Sequence, residues 1–273
     1  MKVTMQKPVR HILSLSGGKD SAALAIYMRD RVPDMEYIFH DAGKELGETY
    51  EYLARIEAYL GKPVHRTTPP DSFDHWFKVY GEMIPSNHRR WCTRQLKLKP
   101  FEDYVGEDEV VNYIGIRADE QRVGYISTKP NIKAVFPFRE DGLVYEDIVR
   151  ILNEAGVGMP TYTEWGRSRS GCFFCFYQQK IEWVRLKERH PHLFEQAKAY
   201  EKPNKINGNV FYWAQNEPLA ELERPERVAQ IKERHQKSME QRKNSRKNKG
   251  LITVLTGLEV DEGPREGCTI CTL

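Results

Sequence analysis

The sequence predicts an α/β protein: a parallel sheet with helices on both faces, followed by a helical region that contains cysteines. Over the first 120 residues or so, short apolar runs alternate with helical patterns, and a glycine-rich turn follows the first run. After residue 138 the pattern becomes mainly helical. Strands that alternate with helices are typical of parallel sheets. Ligands of such sheets bind at the carboxyl ends of the strands, so those ends are where a site is expected.

The individual elements follow from local patterns. Residues 19–31 are apolar almost all round, which predicts a buried helix. Two glycines, Gly61 and Gly156, are placed to end helices. Pro191 is expected to interrupt the last helix before the basic segment. The predicted strands are 9–16, 35–43, 62–68 and 109–117, and the predicted helices are 19–31, 46–61, 72–81, 94–105, 144–156 and 178–202.

Length and composition limit how many domains the chain can form. The 273 residues are 40% hydrophobic and 11% aromatic, enough for one large domain with a smaller attachment. We predict a nucleotide-binding domain at 1–160 and a helical, cysteine-containing, basic region at 161–273. No run of about 18 apolar residues is present, and the N-terminus lacks a signal peptide's apolar segment. A cytoplasmic protein is therefore expected, in which clustered cysteines bind metal or take part in catalysis.

Residues 224–249 are strongly basic, with ten Lys or Arg and three Glu. The resulting net charge of +7 suits a nucleic-acid partner. A solvated helix or tail explains the same composition, and the sequence leaves both interpretations open. The candidate nucleic-acid contacts in this segment are Arg242, Lys243, Arg246 and Lys247.

The segment SLSGGKDS, residues 14–21, lies between the first predicted strand and the first predicted helix. Paired glycines allow a tight turn and close approach to a phosphate, and a helix N-terminus presents free N–H groups to an anion. Lys19 adds a cation, while Asp20 suits a helix cap or a magnesium ligand. The spacing differs from the G-x-x-x-x-G-K-S/T loop of common nucleoside triphosphatases. Hydroxyl donors come from Ser16 and Ser21, and the turn from Gly17 and Gly18.

SGGKDS resembles the pyrophosphate loop of the PP-loop ATP pyrophosphatases. Further segments are similar to the phosphoadenosine phosphosulfate reductase-like branch of that family, and the matches are collinear over residues 12–176. These segments are FHDAGKELGET (39–49), RRWCTRQLKLKPF (89–101), GIRADEQR (115–122) and TEWGRSRSGCFFC (163–175).

The resemblance implies a Rossmann-like sheet of the adenine nucleotide alpha hydrolase type that uses ATP and Mg²⁺. It implies cleavage of ATP between the α- and β-phosphates, with adenylation of a substrate oxygen that sulfur or nitrogen then displaces. Arg117 would neutralise the α-phosphate or an anionic substrate; alternatively it pairs with Asp119 or Glu120 on the surface. The implied catalytic residues are Lys19, Asp20 and Arg117. The implied ATP contacts are Ser14, Ser16, Gly17, Gly18, Lys19, Asp20, Ser21, Asp41 and Gly115.

Cys172 and Cys175 are separated by two residues, a spacing that suits a redox dithiol or half of a zinc site. In the cluster-containing reductases a cysteine pair near position 92 joins the later pair to hold a 4Fe–4S cluster. Here Cys92 is followed by Thr93. The resemblance therefore implies an iron–sulfur cluster with three thiolates and a fourth ligand from Cys268, from Cys271 or from no thiol. Zinc and no metal remain the alternatives.

The C-terminal REGCTICTL lacks the histidine that follows the reductases' catalytic cysteine. Together with the basic segment, this favours a resemblance to the ATP pyrophosphatase subunit of DNA phosphorothioation systems of the Dnd and Ssp type. The partners would be DNA, a cysteine desulfurase as sulfur donor, and other DNA-modification subunits, with no membrane. Arg167 and Arg169 are expected to face the nucleic acid. The alternatives are an adenylyl-sulfate or 3′-phosphoadenylyl-sulfate reductase, a tRNA thiolation enzyme, and a non-catalytic nucleotide- and DNA-binding subunit.

Overall fold

The computed structural model describes residues 7–121, 124, 127–214 and 216–247, with side chains as far as residue 241. Its strands are β1 (Arg10–Ser14), β2 (Glu36–His40), β3 (Val64–Thr67), β4 (Val110–Tyr113) and β5 (Ile132–Val135). Its helices are α1 (Lys19–Met28), α2 (Gly47–Leu60), α3 (Phe73–Val79), α4 (Trp91–Thr93), α5 (Lys99–Val105), α6 (Pro137–Glu140), α7 (Tyr145–Glu154), α8 (Lys180–Arg189), α9 (Pro191–Lys198), α10 (Leu219–Leu222) and α11 (Pro225–Lys247).

The five strands form one parallel sheet in the order β3-β2-β1-β4-β5. The first strand is therefore central, and the chain crosses over it between β3 and β4. The α/β fold with a parallel sheet, predicted from alternating strands and helices, is confirmed. The reversal of strand order lies beside β1, where ligands of open α/β sheets bind.

Three apolar clusters hold the fold together. One packs α1, α2 and α7 on one face of the sheet, and a small one packs α5 on the other face. The third joins α3 and α4 to the C-terminal helices around Trp183 and Trp213, which are 0% and 2% exposed. This third cluster contains residues from both sides of position 160, so the two predicted regions share a core.

Local sequence explains most of the element boundaries. Gly61, with φ of 62°, ends α2, and the chain breaks between α8 and α9 at His190–Pro191. The predicted helix at 94–105 is in fact a π-helical turn, Arg94–Leu98, that continues into α5. Strand β5 was not predicted, because its four residues include an exposed lysine and only one fully buried side chain. No helix among the described residues is long and apolar enough to cross a membrane.

Candidate nucleotide and thiol site

The loop between β1 and α1 has the backbone of an anion site. Gly17 has φ of 69°, and a Cβ there would lie 2.4 Å from the Cγ2 of Thr49, so only glycine fits. Gly18 is the N-cap of α1 in extended conformation, and no side chain caps the helix. The first N–H groups of a helix have no partner within it. Those of α1 therefore remain available to an anion held in the loop.

Serine hydroxyls fix this loop from inside. Ser21 Oγ donates to the Gly18 carbonyl at 3.1 Å and accepts from the Ser16 amide at 3.1 Å. Because its one proton is used there, Ser21 is not a free donor for a phosphate. Ser16 Oγ lies 3.1 Å from Ser21 Oγ and, since the Ser21 proton is used, is the donor in that contact. Ser14 is 1% exposed, and its Oγ has no hydrogen-bond partner among the described residues.

Asp20 lies between two cations at the start of α1. Its Oδ2 accepts from Lys19 Nζ at 2.7 Å and its Oδ1 from Arg117 Nη1 at 2.8 Å. Burial alone would raise the pKa of Asp20, but the charges and hydrogen bonds of Lys19 and Arg117 lower it below its ordinary value. The carboxylate is therefore ionised at neutral pH. Lys19, predicted to supply a cation for pyrophosphate, is already paired.

Arg117 contacts three carboxylates at 2.8 Å, those of Asp20, Asp119 and Glu120. The alternative prediction, in which Arg117 pairs with Asp119 or Glu120, names two of these partners correctly. The arginine side chain is only 13% exposed, however, so the pairing is not on the surface. Its guanidinium carbon lies 5.6 Å from the ring centroid of Tyr145, a half-exposed residue at the start of α7. The arginine is thus fixed at the mouth of the loop.

Two further predicted nucleotide contacts follow β2 and β4, the strands on either side of β1. Asp41 follows β2, and its Oδ1 accepts from the Gly43 amide at 2.8 Å and from the Tyr50 hydroxyl at 2.7 Å. Gly115 follows β4, where a Cβ would lie 3.0 Å from the carbonyl oxygen of Asp20. The small residue at 115 therefore allows the end of β4 to approach the first turn of α1.

The three described cysteines lie around one small cavity. Cys92, Cys172 and Cys175 line a volume of about 40 Å³, together with aromatic rings that include Phe174 and Trp213. None of the three forms a disulfide, and all three are partly buried. Burial, followed by the charge of the neighbouring Glu45, raises the pKa of the Cys172 thiol well above its ordinary value. Without a bound cation, that thiol is protonated.

These thiols suit an iron–sulfur cluster in chemistry, because thiolate is the donor that such clusters take. Among the described residues no group of three or more His, Cys, Asp or Glu is arranged to hold a metal ion. A single zinc ion needs its donors around one point, whereas a cubane cluster spreads its thiolates over different iron atoms. The cavity is small as it stands, so a cluster would have to displace the surrounding side chains.

Arg167 does not face a nucleic acid, and that prediction is wrong. Its side chain is 1% exposed and its donors are used inside the protein. Nη2 donates to the carbonyls of Gly171 and Cys172 at 2.9 and 2.8 Å, and Nη1 donates to Gln178 Oε1 at 3.1 Å. The guanidinium therefore shapes the turn that carries the cysteines. Arg169, also predicted to contact nucleic acid, is half-buried, and its carbonyl accepts from Arg167 Nε at 3.0 Å.

Glu45 is a site residue that the sequence did not reveal. It is 9% exposed; Oε1 accepts from Cys172 Sγ at 3.7 Å, and Oε2 has no partner among the described residues. Burial raises the pKa of this carboxyl, although the charges of Lys97 and Arg167 oppose the effect. In the sequence, Glu45 directly precedes the predicted helix 46–61, and nothing in that position indicates that its carboxyl group is buried.

The phosphate loop and the cysteine turn touch each other. Ser170 Oγ donates to Ser16 Oγ at 3.4 Å, and a Cβ on Gly18 would lie 2.9 Å from Ser170 Oγ. Tyr162, completely buried against α2, donates its hydroxyl to the Gly17 carbonyl at 3.2 Å. Cys172 is thus two residues along the chain from Ser170, which contacts the phosphate loop directly. Sequence separation of about 150 residues hid this juxtaposition.

Some predicted residues lie beyond what the structure describes. Cys268 and Cys271 are outside the described residues, so the fourth ligand stays a prediction. Arg242, Lys243, Arg246 and Lys247 belong to α11, but their side chains are not described.

Comparison with known protein families gives a match over the sheet-forming part of the chain. The family model described as phosphoadenosine phosphosulfate reductase domain matches residues 10–135, a little under half of the chain. The segment from β1 to β5 is therefore phosphoadenosine phosphosulfate reductase-like, and the resemblance is supported at that level.

Two curated relatives carry little functional information. An uncharacterized protein of Methanocaldococcus jannaschii is 28% identical over 66% of this chain and 45% of its own length. A nin-region protein of Escherichia phage lambda is 30% identical over 45% of this chain and 52% of its own length. The chain thus spans about half the length of these relatives.

Two solved structures are distantly similar. One is phosphoadenylyl-sulfate reductase of Candida auris in a phosphate complex, at 17% identity and TM-score 0.47, covering 62% of this chain and 84% of that one. The other is the U34-tRNA thiolase NcsA of Methanococcus maripaludis with its 4Fe–4S cluster, at 13% identity and TM-score 0.40, covering 81% and 82%.

Proposed function

We propose that the chain is an ATP pyrophosphatase that adenylates an oxygen of a nucleic acid so that sulfur can replace it. The most specific form of the proposal is DNA phosphorothioation, in which the activated group is a backbone phosphate. The observation that carries it is the contact between Ser16 of the phosphate loop and Ser170 of the cysteine turn. An activating site and thiols that lie this close suit a reaction that joins nucleotide cleavage to sulfur chemistry.

The first half-reaction would use the phosphate loop. The nucleic-acid oxygen attacks the α-phosphorus of ATP, the bond between the α- and β-phosphates breaks, and pyrophosphate leaves. The amides of α1 face the departing charge, and Lys19 and Arg117 lie at the loop mouth. Donors fixed before the reaction stabilise developing charge without reorganisation. Since Asp20 pairs with both cations, pyrophosphate or Mg²⁺ would compete for these ion pairs.

The second half-reaction would use the thiol cavity. A sulfur nucleophile attacks the activated phosphorus, and AMP leaves with the replaced oxygen. Cys92, Cys172 and Cys175 would hold an iron–sulfur cluster, which when bound supplies a place for sulfide. Their aromatic surroundings exclude water, which would otherwise compete with sulfur for the activated group. A cysteine desulfurase is the expected source of the sulfur.

Separating the two half-reactions tests this proposal. Under anaerobic conditions the protein is incubated with ATP, Mg²⁺, a cysteine desulfurase with cysteine, and either DNA or tRNA. Pyrophosphate release and sulfur incorporation are measured in each case. We expect Cys172→Ser to release pyrophosphate but to incorporate no sulfur, and Lys19→Ala to lose both. Incorporation into DNA supports phosphorothioation, whereas incorporation into tRNA supports a thiolase.

A second candidate is reduction of an adenylyl sulfate, favoured by the family match over residues 10–135. Thioredoxin-dependent release of sulfite from adenylyl sulfate or 3′-phosphoadenylyl sulfate would replace the proposal. ATP binding with no pyrophosphate release under any condition would instead indicate a non-catalytic subunit. Full sulfur incorporation by the Cys172→Ser variant would exclude the thiol cavity from the reaction.

A further inference from the structure

A cleft lies between the first turn of α8 and the side of α11, with a volume of about 450 Å³. This is within the usual size of ligand sites, about 300 to 1,000 Å³. Ile181 and Ile231, both 6% exposed, form an apolar floor. A merely solvated helix face is convex and has no such floor. The concave shape therefore distinguishes this part of α11 from an ordinary charged surface.

The rim of the cleft is basic. Lys180, Arg227, Arg234 and Lys237 line it, against one acidic lining residue among those described, Glu233. Arg234 is exposed and has no hydrogen bond or ion pair with any described residue. An unpaired guanidinium on a concave surface suits bidentate recognition of a phosphate.

Glu217 holds two of these cations in place. Lys180 Nζ lies 2.6 Å from Glu217 Oε2, and Arg227 Nε lies 2.5 Å from Glu217 Oε1. One carboxylate thus links the start of α8 to the start of α11. It fixes the width of the cleft without neutralising both cations.

The cleft begins close to the cysteine turn. Gln179 lines it and is four residues after Cys175. The turn leads into α8 through a hydrogen bond from the Gln178 amide to the Cys175 carbonyl at 3.0 Å, and the Gln178 side chain is held by Arg167. A chain lying in the cleft would therefore approach the thiol cavity along the start of α8.

We propose that the cleft between α8 and α11 binds the phosphodiester backbone of a nucleic acid and leads it toward the thiol cavity. This deepens the proposed function and rests on it for the direction of the chain. The binding itself can be measured without ATP, sulfur or a cluster. The charge pattern recognises phosphates, a feature that DNA and tRNA share.

The test is equilibrium binding of the full chain to three fluorescent probes: single-stranded DNA, the same sequence as a duplex, and a tRNA. Arg234→Ala/Lys237→Ala removes two charges from the cleft. Arg224→Ala/Lys232→Ala is the matched control, because it removes two charges from the same region outside the cleft lining. Binding is measured between 50 and 200 mM salt, where each lost phosphate contact reduces the salt slope by about 0.7 to 0.9.

We expect the cleft variant to bind its preferred probe at least about tenfold more weakly, with a salt slope smaller by about 1.4 to 1.8 if both contacts are lost. The control should keep the wild-type slope. The preferred probe distinguishes DNA from tRNA. Equal weakening in both variants, or no binding to any probe, overturns the proposal. Cleft-dependent binding without sulfur incorporation would leave the cleft assignment intact and reject the proposed function.

Discussion

Replacing Gly17 with alanine tests the geometry of the phosphate loop. Two costs are expected, and they have separate causes. A left-handed backbone costs a non-glycine residue about 1 to 2 kcal/mol, and φ at Gly17 is 69°. The new Cβ would also lie 2.4 Å from Thr49 Cγ2, and overpacking of a well-packed core costs about 1 to 3 kcal/mol. Together they predict a loss of about 2 to 5 kcal/mol, large against a total stability of about 5 to 15 kcal/mol.

Gly61→Ala separates these two costs. Gly61 ends α2 with φ of 62°, and nothing lies within 4 Å of a Cβ built there. It should therefore show the backbone cost alone, about 1 to 2 kcal/mol. The difference between the two variants measures the clash. Thr49→Ser removes the clashing methyl group, so the double variant Gly17→Ala/Thr49→Ser should recover most of that difference in a double-mutant cycle.

The assay is denaturant unfolding, read with ATP binding by each variant. Gly17→Ala should also bind ATP more weakly, since the loop must move to relieve the clash, whereas Gly61→Ala should bind it normally. Equal stability of the two single variants would refute the clash. An unchanged ATP affinity of Gly17→Ala would refute the assignment of this loop to the nucleotide. Failure of Thr49→Ser to restore stability would show that the strain lies elsewhere.

Two further predictions concern buried side chains. Burial, with the charge of Lys97, lowers the pKa of His40 to about 3, so between about pH 6.5 and 3 the unfolded chain binds a proton that the folded chain does not. The free energy of unfolding should therefore fall by up to about 1.4 kcal/mol per pH unit on acidification over that window. The variant His40→Gln should lose this pH dependence, whereas the control His65→Gln, at an exposed position, should keep it. An equally steep fall in both variants would contradict the assignment to His40. Arg167→Lys should cost about 2 kcal/mol or more and increase hydrogen exchange in the cysteine turn, because a lysine cannot replace the forked contacts; exposed Arg189→Lys is the control, and unchanged exchange would show that the turn holds without the guanidinium.

The sheet could be predicted because its signals are local. An apolar run such as 9–16 specifies a buried strand by itself, and glycines at 61 and 156 end helices through their own backbone freedom. The glycine–glycine–lysine turn likewise carries its anion-binding geometry within six residues. Strand β5 was missed because it has only four residues, IKAV, too few for an alternating pattern to be recognised.

The charges of the site could not be predicted, because their partners are distant in sequence. Lys19 looks like a free cation in the chain, and Arg117 like the partner of a phosphate or of Asp119 or Glu120, yet both bind Asp20, and Arg117 reaches it across 97 residues. Arg167 looked like a surface residue next to another arginine and a serine. It is instead the buried scaffold of the cysteine turn. Local composition reports a charge but not whether that charge is already neutralised.

The ion pairs that Asp20 forms with Lys19 and Arg117 affect which ligands the phosphate loop would bind. A loop whose cations are free binds any polyanion, including nucleic acid, whereas a loop whose cations are held by Asp20 needs a ligand that can displace the carboxylate. ATP with Mg²⁺ would meet this need, because the metal ion would offer Asp20 a new partner while the phosphates pair with Lys19 and Arg117. A phosphodiester, with one charge per phosphate and no resident metal ion, competes less well. The pairing would therefore favour the nucleotide in the loop and leave the nucleic acid to the proposed cleft beside α11, where Arg234 has no ion pair with any described residue.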